Sequence, residues 1–239
     1  MILRKIFLLS LMLSHLAIRS YGQTAVIIPR EFVETALPKL ESDEWHSLNY
    51  SHNEFGVKIV DGKLEIEKIK EVNKCELKIT HGTLIGINRG EWGGQLTFQP
   101  EDTAKKSIYI KRGNIKFIFN FKDKVYFIEG LAHLSYSGGA IFELKTNDSN
   151  FIFTKLIDFD DAPEAFTIYK DNFLIATHEN FYIVKDFKKE LIFENTFWSS
   201  LYPNSIAVFN DKNVFMGIRG GIVRLDLIGK TLKFYKNDK

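Results

Sequence analysis

The run Ile115-Lys116-Phe117-Ile118-Phe119-Asn120-Phe121, the pair Lys122-Asp123 and the run Lys124-Val125-Tyr126-Phe127-Ile128 decide how this chain is read. β-Branched and aromatic residues fill both runs and the pair between them suits a tight turn, so the stretch reads as a β-hairpin. Downstream come Gly138-Gly139, the run Ala140-Ile141-Phe142 and a further apolar run over 151–157. The unit is therefore four strands joined in sequence. Outward from it the unit recurs, with Gly93-Gly94 before Gln95-Leu96-Thr97-Phe98, Glu179-Asn180 before Phe181-Tyr182-Ile183, and Gly220-Gly221 before Ile222-Val223-Arg224-Leu225. A spacing of about forty residues between copies marks a repeat architecture.

Four copies can be laid out, over 76–110, 115–157, 165–193 and 205–235. Upstream of them, Asp61-Gly62 between Val57-Lys58-Ile59-Val60 and Lys63-Leu64-Glu65-Ile66 is the strongest hairpin signal, because both residues tolerate the positive φ of a type I′ turn. That hairpin is expected to be part of a fifth, incomplete unit. Four strands per copy, joined as a meander, make the blade of a β-propeller. The fold class expected is thus all-β, a small β-propeller of about four to five four-stranded blades, with a β-sandwich or barrel as the alternative. In this pattern the chain resembles the β-propeller repeat superfamily, uncharacterised secreted bacterial members in particular, over 55–235. The resemblance is one of pattern: the Trp-Asp dipeptide of WD-type blades is absent and no kelch-like set is complete.

Three segments follow from this reading: a signal peptide over 1–22, a lead-in over 23–54 and the propeller-like domain over 55–239. Arg4-Lys5 precede an apolar run over 6–18, and Ser20-Tyr21-Gly22 supplies small residues where a signal peptidase cuts. The run is shorter than the roughly 20 residues of a bilayer span, and no later stretch is a span, so no membrane crossing is expected after cleavage. The lead-in carries Pro29, Pro38 and the acidic residues Glu41, Asp43 and Glu44, with a short helix expected over 30–36. Localisation is expected to be secreted or periplasmic.

Formal charge is +2, and losing Arg4, Lys5 and Arg19 with the leader takes it to about −1. Such a chain has no electrostatic reason to bind nucleic acid. Cys75 is the one cysteine, so an intramolecular disulfide is excluded. In an alternating stretch with Leu77 and Ile79 it reads as a small buried hydrophobe.

Meander geometry adds a polarity. If the first strand of a blade rises, the loop between its second and third strands and the connection to the next blade emerge on one face. Those loops carry Arg89, Glu91, Trp92, His133, Tyr136, Glu164, His178, Trp198, Tyr202 and Arg219, the candidate ligand-binding residues. The opposite end receives plain turns. Loops on a rigid β scaffold commonly carry binding residues, and polar groups converging with aromatics are the composition of a ligand site. His133 and Tyr136 are expected on a long loop over 129–139.

Each residue also has a structural reading. Trp92 could plug a blade interface, His133 and His178 could be hydrogen-bonded surface groups, and Arg219 could pair with a neighbouring Glu. Asp160, Asp161 and Glu164 offer oxygen ligands for Ca²⁺ but match no EF-hand loop, so no cofactor and no metal site is assigned. There is no His-Glu-x-x-His element and no Gly-x-Ser-x-Gly elbow. The expectation is an exported, monomeric, non-catalytic module binding a small ligand, glycan or protein on its loop face. The alternatives are a propeller-type hydrolase or lyase with a loop-face cation, and an envelope structural or interaction protein.

Overall fold

A computed structural model describes residues 26–70, 73–147 and 150–238; the expected signal peptide lies outside them. The chain is all-β, and the described residues form five antiparallel sheets. Sheet I is the hairpin of β2 (Phe55–Val60) and β3 (Lys63–Lys68). Sheet II is β4 (Lys74–Ile79), β5 (Gly82–Asn88), β6 (Gly94–Pro100) and β7 (Ile108–Arg112). Sheet III is β8 (Ile115–Phe121), β9 (Lys124–His133), β10 (Tyr136–Asn147) and β11 (Asn150–Phe159). Sheet IV is β12 (Pro163–Tyr169), β13 (Asn172–Thr177), β14 (Phe181–Lys185) and β15 (Lys188–Phe193). Sheet V is β16 (Ser205–Asn210), β17 (Asn213–Ile218), β18 (Gly221–Asp226) and β19 (Thr231–Asn237), with β1 (Phe32–Thr35) added beside β19. Among the described residues no helix is long and apolar enough to cross a membrane.

The second strands explain how the sheets stack. Residues of β13 from Phe173 to Thr177 are buried without a break, because both faces of the strand are covered. Alternate side chains serve different cores: Phe173 and Ile175 pack with Ile128, Ile141 and Phe159 of sheet III, while Leu174 and Ala176 pack with Val214, Met216 and Ile218 of sheet V. Strand β17 does the same, with Phe215 turned instead toward Val57 and Leu64 of sheet I. Sheet II meets sheet III through Leu84, Leu96, Phe98, Ile115 and Phe127. Sheets II, III, IV and V therefore follow one another in chain order, and β2 returns against β16 and β17, so that the first sheet adjoins the last.

The turns are those the residues allow. Asp61 and Gly62 have φ of 49° and 73°, and Lys122 and Asp123 have 47° and 60°, the positive values of two-residue hairpins. The long loop expected over 129–139 is instead a continuation of β9 and β10, with Leu134-Ser135 at the tip. Gly130 and Gly139 face each other in that ladder, and a Cβ on either would run into Pro163 of sheet IV. The glycines serve a close approach between sheets rather than a loop.

The lead-in also departs from expectation. Residues 32–35 form a strand rather than a helix, since the open edge of β19 offers them hydrogen bonds that a lone helical turn lacks. The helix α1 lies later, at Asp43–Tyr50. Ser42 caps it, its hydroxyl accepting from Trp45 N at 3.3 Å, and Asp43 and Glu44 complement the dipole of its first turn. Trp45 and Leu48 are the residues it buries, against the sheet IV–V core.

Candidate functional site

The first strand of every sheet begins at the same end of the molecule, and that repetition builds a site. Glu54 precedes β2, Lys74 opens β4, Lys116 is the second residue of β8, Glu164 the second of β12, and Asn204 precedes β16. All five line one cavity of about 500 Å³. Lys70, Asn88, Tyr202 and Arg219 join them from the adjoining segments at that end.

Two ion pairs organise the cavity. Lys116 Nζ donates to Glu164 Oε2 at 2.6 Å, joining sheet III to sheet IV, with the Glu164 side chain only 9% exposed. Arg219 Nη2 donates to Glu54 Oε1 at 2.7 Å, joining sheet V to the start of sheet I. Arg219 is held further by Nη1, which donates to Asn49 O at 2.7 Å, and by the Tyr202 ring, whose centroid lies 4.1 Å from the guanidinium. Its Nε is buried with no acceptor. A buried donor without a partner is costly.

Among the described lining residues, Lys70, Lys74, Lys116 and Arg219 outnumber Glu54 and Glu164. Lys74 lies against Glu76 on its own strand, and Lys70 is exposed. The balance is positive, in a concave place where field lines are focused. Cys75 also lines the cavity, but burial pushes its thiol up to about 11 and its Sγ donates to Ile115 O at 3.8 Å. It is a thiol at neutral pH rather than a nucleophilic thiolate.

Of the ten candidate residues, the cavity gathers Glu164, Tyr202 and Arg219. Arg89 and Trp92 form a separate shallow cleft of about 220 Å³ with Tyr109 and Arg112, where Trp92 is 80% exposed. Glu91, on the 3₁₀ turn Gly90–Trp92, instead reaches His133 at the end of β9, Oε2 to Nε2 3.1 Å, a link from sheet II to sheet III. Tyr136 borders another cleft, beside Lys111 and Gly138. His178 Nε2 lies 3.3 Å from Ser200 Oγ, while its Nδ1 is buried without a partner. A nucleophile–base pair needs a third group on that nitrogen to orient the ring, and none is there.

Trp198 is a correction. It is fully buried in the core between sheets IV and V, with Nε1 donating to Thr177 O at 3.4 Å, and has no surface to offer a ligand. The connection that carries it folds inward because Phe197, Trp198 and Leu201 are its apolar content.

Asp160, Asp161 and Glu164 are engaged separately. Asp161 is a buried acceptor for Ser137 Oγ at 2.8 Å, Glu179 N at 2.8 Å, Asn180 Nδ2 at 3.0 Å and the Thr177 hydroxyl. Asp160 is 99% exposed, 3.6 Å from Lys189, and Glu164 faces Lys116. Among the described residues no three His, Cys, Asp or Glu side chains gather as a metal group.

Sequence reasoning passed over Glu54, Lys70, Lys74, Asn88, Lys116 and Asn204. For Glu54, Lys74, Lys116 and Asn204 the signal was positional: a polar residue at the start of each first strand, where alternation alone suggests nothing. No protein-family model matches the chain, and no curated protein matches it.

Proposed function

We propose that the chain is an exported binding module, a five-bladed propeller with a two-stranded first blade, which takes a small acidic ligand in its central cavity without turning it over. Support for the blades lies in the succession of sheets, each packed on the next, with sheet I back against sheet V. Support for export lies in the N-terminal segment over 1–22. The observation that carries the binding reading is the cavity itself. Glu54, Lys74, Lys116, Glu164 and Asn204 come from the equivalent place in each sheet and face one space of about 500 Å³.

That space has the size of a small-molecule site. Its positive balance among the described residues favours a ligand rich in acceptors, an organic acid or acidic sugar. Binding without turnover agrees with the state of its side chains. Lys116 and Arg219 are held by carboxylates as fixed charges, and Cys75 is protonated.

Calorimetric titration of glucuronate and small dicarboxylates, with glucose as the neutral control, tests the proposal through two substitutions of opposite sign. Glu164→Gln leaves Lys116 uncompensated and strengthens acid binding. Lys116→Gln leaves a nearly buried Glu164 unpaired and weakens it. If both variants bind every acid found with wild-type affinity, the cavity is not the site. A hydrolytic reading draws on His178 and Ser200 alone; Ser200→Ala abolishing turnover of an ester substrate would replace the present proposal.

A further inference from the structure

The opposite end of the molecule, which receives the described hairpin turns such as Lys122-Asp123, holds a larger cavity of about 680 Å³ between sheets II and III. Its floor is apolar. Phe98 and Phe151 lie tilted with ring centroids 5.0 Å apart, flanked by Ile79, Ile108 and Val125. These residues belong to the core between the two sheets, and all but Phe98 remain only partly buried. The core is thus continued by a hollow instead of being closed over.

The rim has the opposite character. Lys78, Lys105 and Lys106 stand around it, and among the described lining residues there is no carboxylate. Lys78 is 3.4 Å from Glu101, but both side chains are well exposed, 78% and 58%, and such a pair is weak and screened. Lys105 and Lys106 sit on the connection from β6 to β7. Its turn is pinned by Asp102, whose Oδ1 accepts from Ala104 N and whose carbonyl accepts from Lys105 N, both at 3.0 Å. The two lysines are therefore carried on a shaped turn, and their long stems can lie along apolar surface while the ammonium groups stay at the rim.

An apolar floor under a rim whose charged lining side chains, among the described residues, are lysines is complementary to one chemistry, a hydrocarbon body ending in an anion. We propose that this cavity binds a fatty-acid-type carboxylate, its chain against Phe98 and Phe151 and its carboxylate between Lys105 and Lys106. The site is separate from the central cavity, shares no residue with it, and does not depend on the function proposed there.

The test is calorimetric titration of the purified protein with decanoate, decanol and acetate, below the concentrations at which the first two aggregate. Decanoate saturates one site and binds at least tenfold more tightly than decanol or acetate, since each of those lacks half of the complementarity. Lys105→Glu combined with Lys106→Glu weakens decanoate at least tenfold while the melting temperature stays put, because both residues are exposed. Ile108→Trp, which fills the apolar floor, abolishes decanoate binding with the charges intact. Decanol binding as tightly as decanoate, acetate binding as tightly, or the double lysine variant binding like wild type each overturns the proposal. So does loss of decanoate binding in Lys116→Gln with retention in the double lysine variant, which would move the anion to the central cavity.

Discussion

The interface between sheets IV and V and the one between sheets II and III are made of the same kinds of strands, yet only the first is filled from outside the sheets. Trp45 and Leu48 of α1 and Phe197, Trp198 and Leu201 of the IV–V connection all enter the IV–V core. Trp45 Nε1 donates to Phe197 O at 3.0 Å and to Ser199 O at 3.2 Å, so the two inserts also hold each other. The II–III core has strand residues alone, and Ile79, Ile108, Val125 and Phe151 stay partly exposed around a cavity. One interface is therefore filled by inserted side chains and the other keeps a cavity.

The largest effect should separate the two interfaces directly. Trp198→Ala is expected to cost about 3–5 kcal/mol in urea unfolding, the range for truncating a buried aromatic that its surroundings cannot replace. Phe151→Ala, already partly wet, is expected to cost about 1 kcal/mol. Equal costs would break the comparison.

Next comes the polar tie between sheets III and IV. Asp161→Asn removes a charge that accepts from four groups and is expected to cost about 2–3 kcal/mol, because hydrogen bonds to a buried charge are the strong ones. Asp160→Asn, one residue away on a fully exposed side chain, should leave the unfolding midpoint where it is. Gly139→Ala then probes the tight III–IV approach: a Cβ there meets the Glu129 carbonyl and the Pro163 ring, and overpacking of about 1–3 kcal/mol is expected from thermal or urea melts.

Cys75 sharpens the comparison on the open side. Its thiol packs on Ile115 in the II–III core, and burial holds it near 11. Labelling with a thiol reagent at pH 8 should therefore be slower than that of a free thiol, since little thiolate is present. Labelling at the rate of a free thiol would show that the interface breathes as a whole, beyond the cavity.

The smallest effect is a pH dependence. The hydrogen bond from Lys124 holds the Glu143 carboxyl below its ordinary value of 4.5, against burial, which pushes it up. A lowered folded value means that the contribution is present above the unfolded value and is lost as pH falls through the folded one. Glu143→Gln should flatten the acid limb of stability below about pH 4.5, because it removes the small stabilisation that the ion pair with Lys124 gives at neutral pH.

How much of this was legible depends on how local the cause is. Lys122-Asp123 and Asp61-Gly62 announced their turns because positive φ is a property of two residues and their immediate flanks. Gly138-Gly139 misled for the same reason: glycine reads as a loop from within the chain, while the work of Gly139 is to admit Pro163 from another sheet. The helix α1 had its cap and acidic first turn in plain view at Ser42, Asp43 and Glu44, but eight residues are too few for propensity to decide, and packing of Trp45 did. Trp198 looked like a loop aromatic until the IV–V core enclosed it.

By itself the sequence determined the strands, most hairpin ends and the polarity that puts varied loops at one end and plain turns at the other, because alternation and turn chemistry act over a few neighbours. Only the tertiary structure decided which polar residues meet. Glu54, Lys74, Lys116, Glu164 and Asn204 are far apart along the chain and become neighbours because each opens the first strand of a different sheet. The same packing decided where a hollow remains at the far end, since the fit between two sheets depends on side chains that neither strand's own sequence specifies.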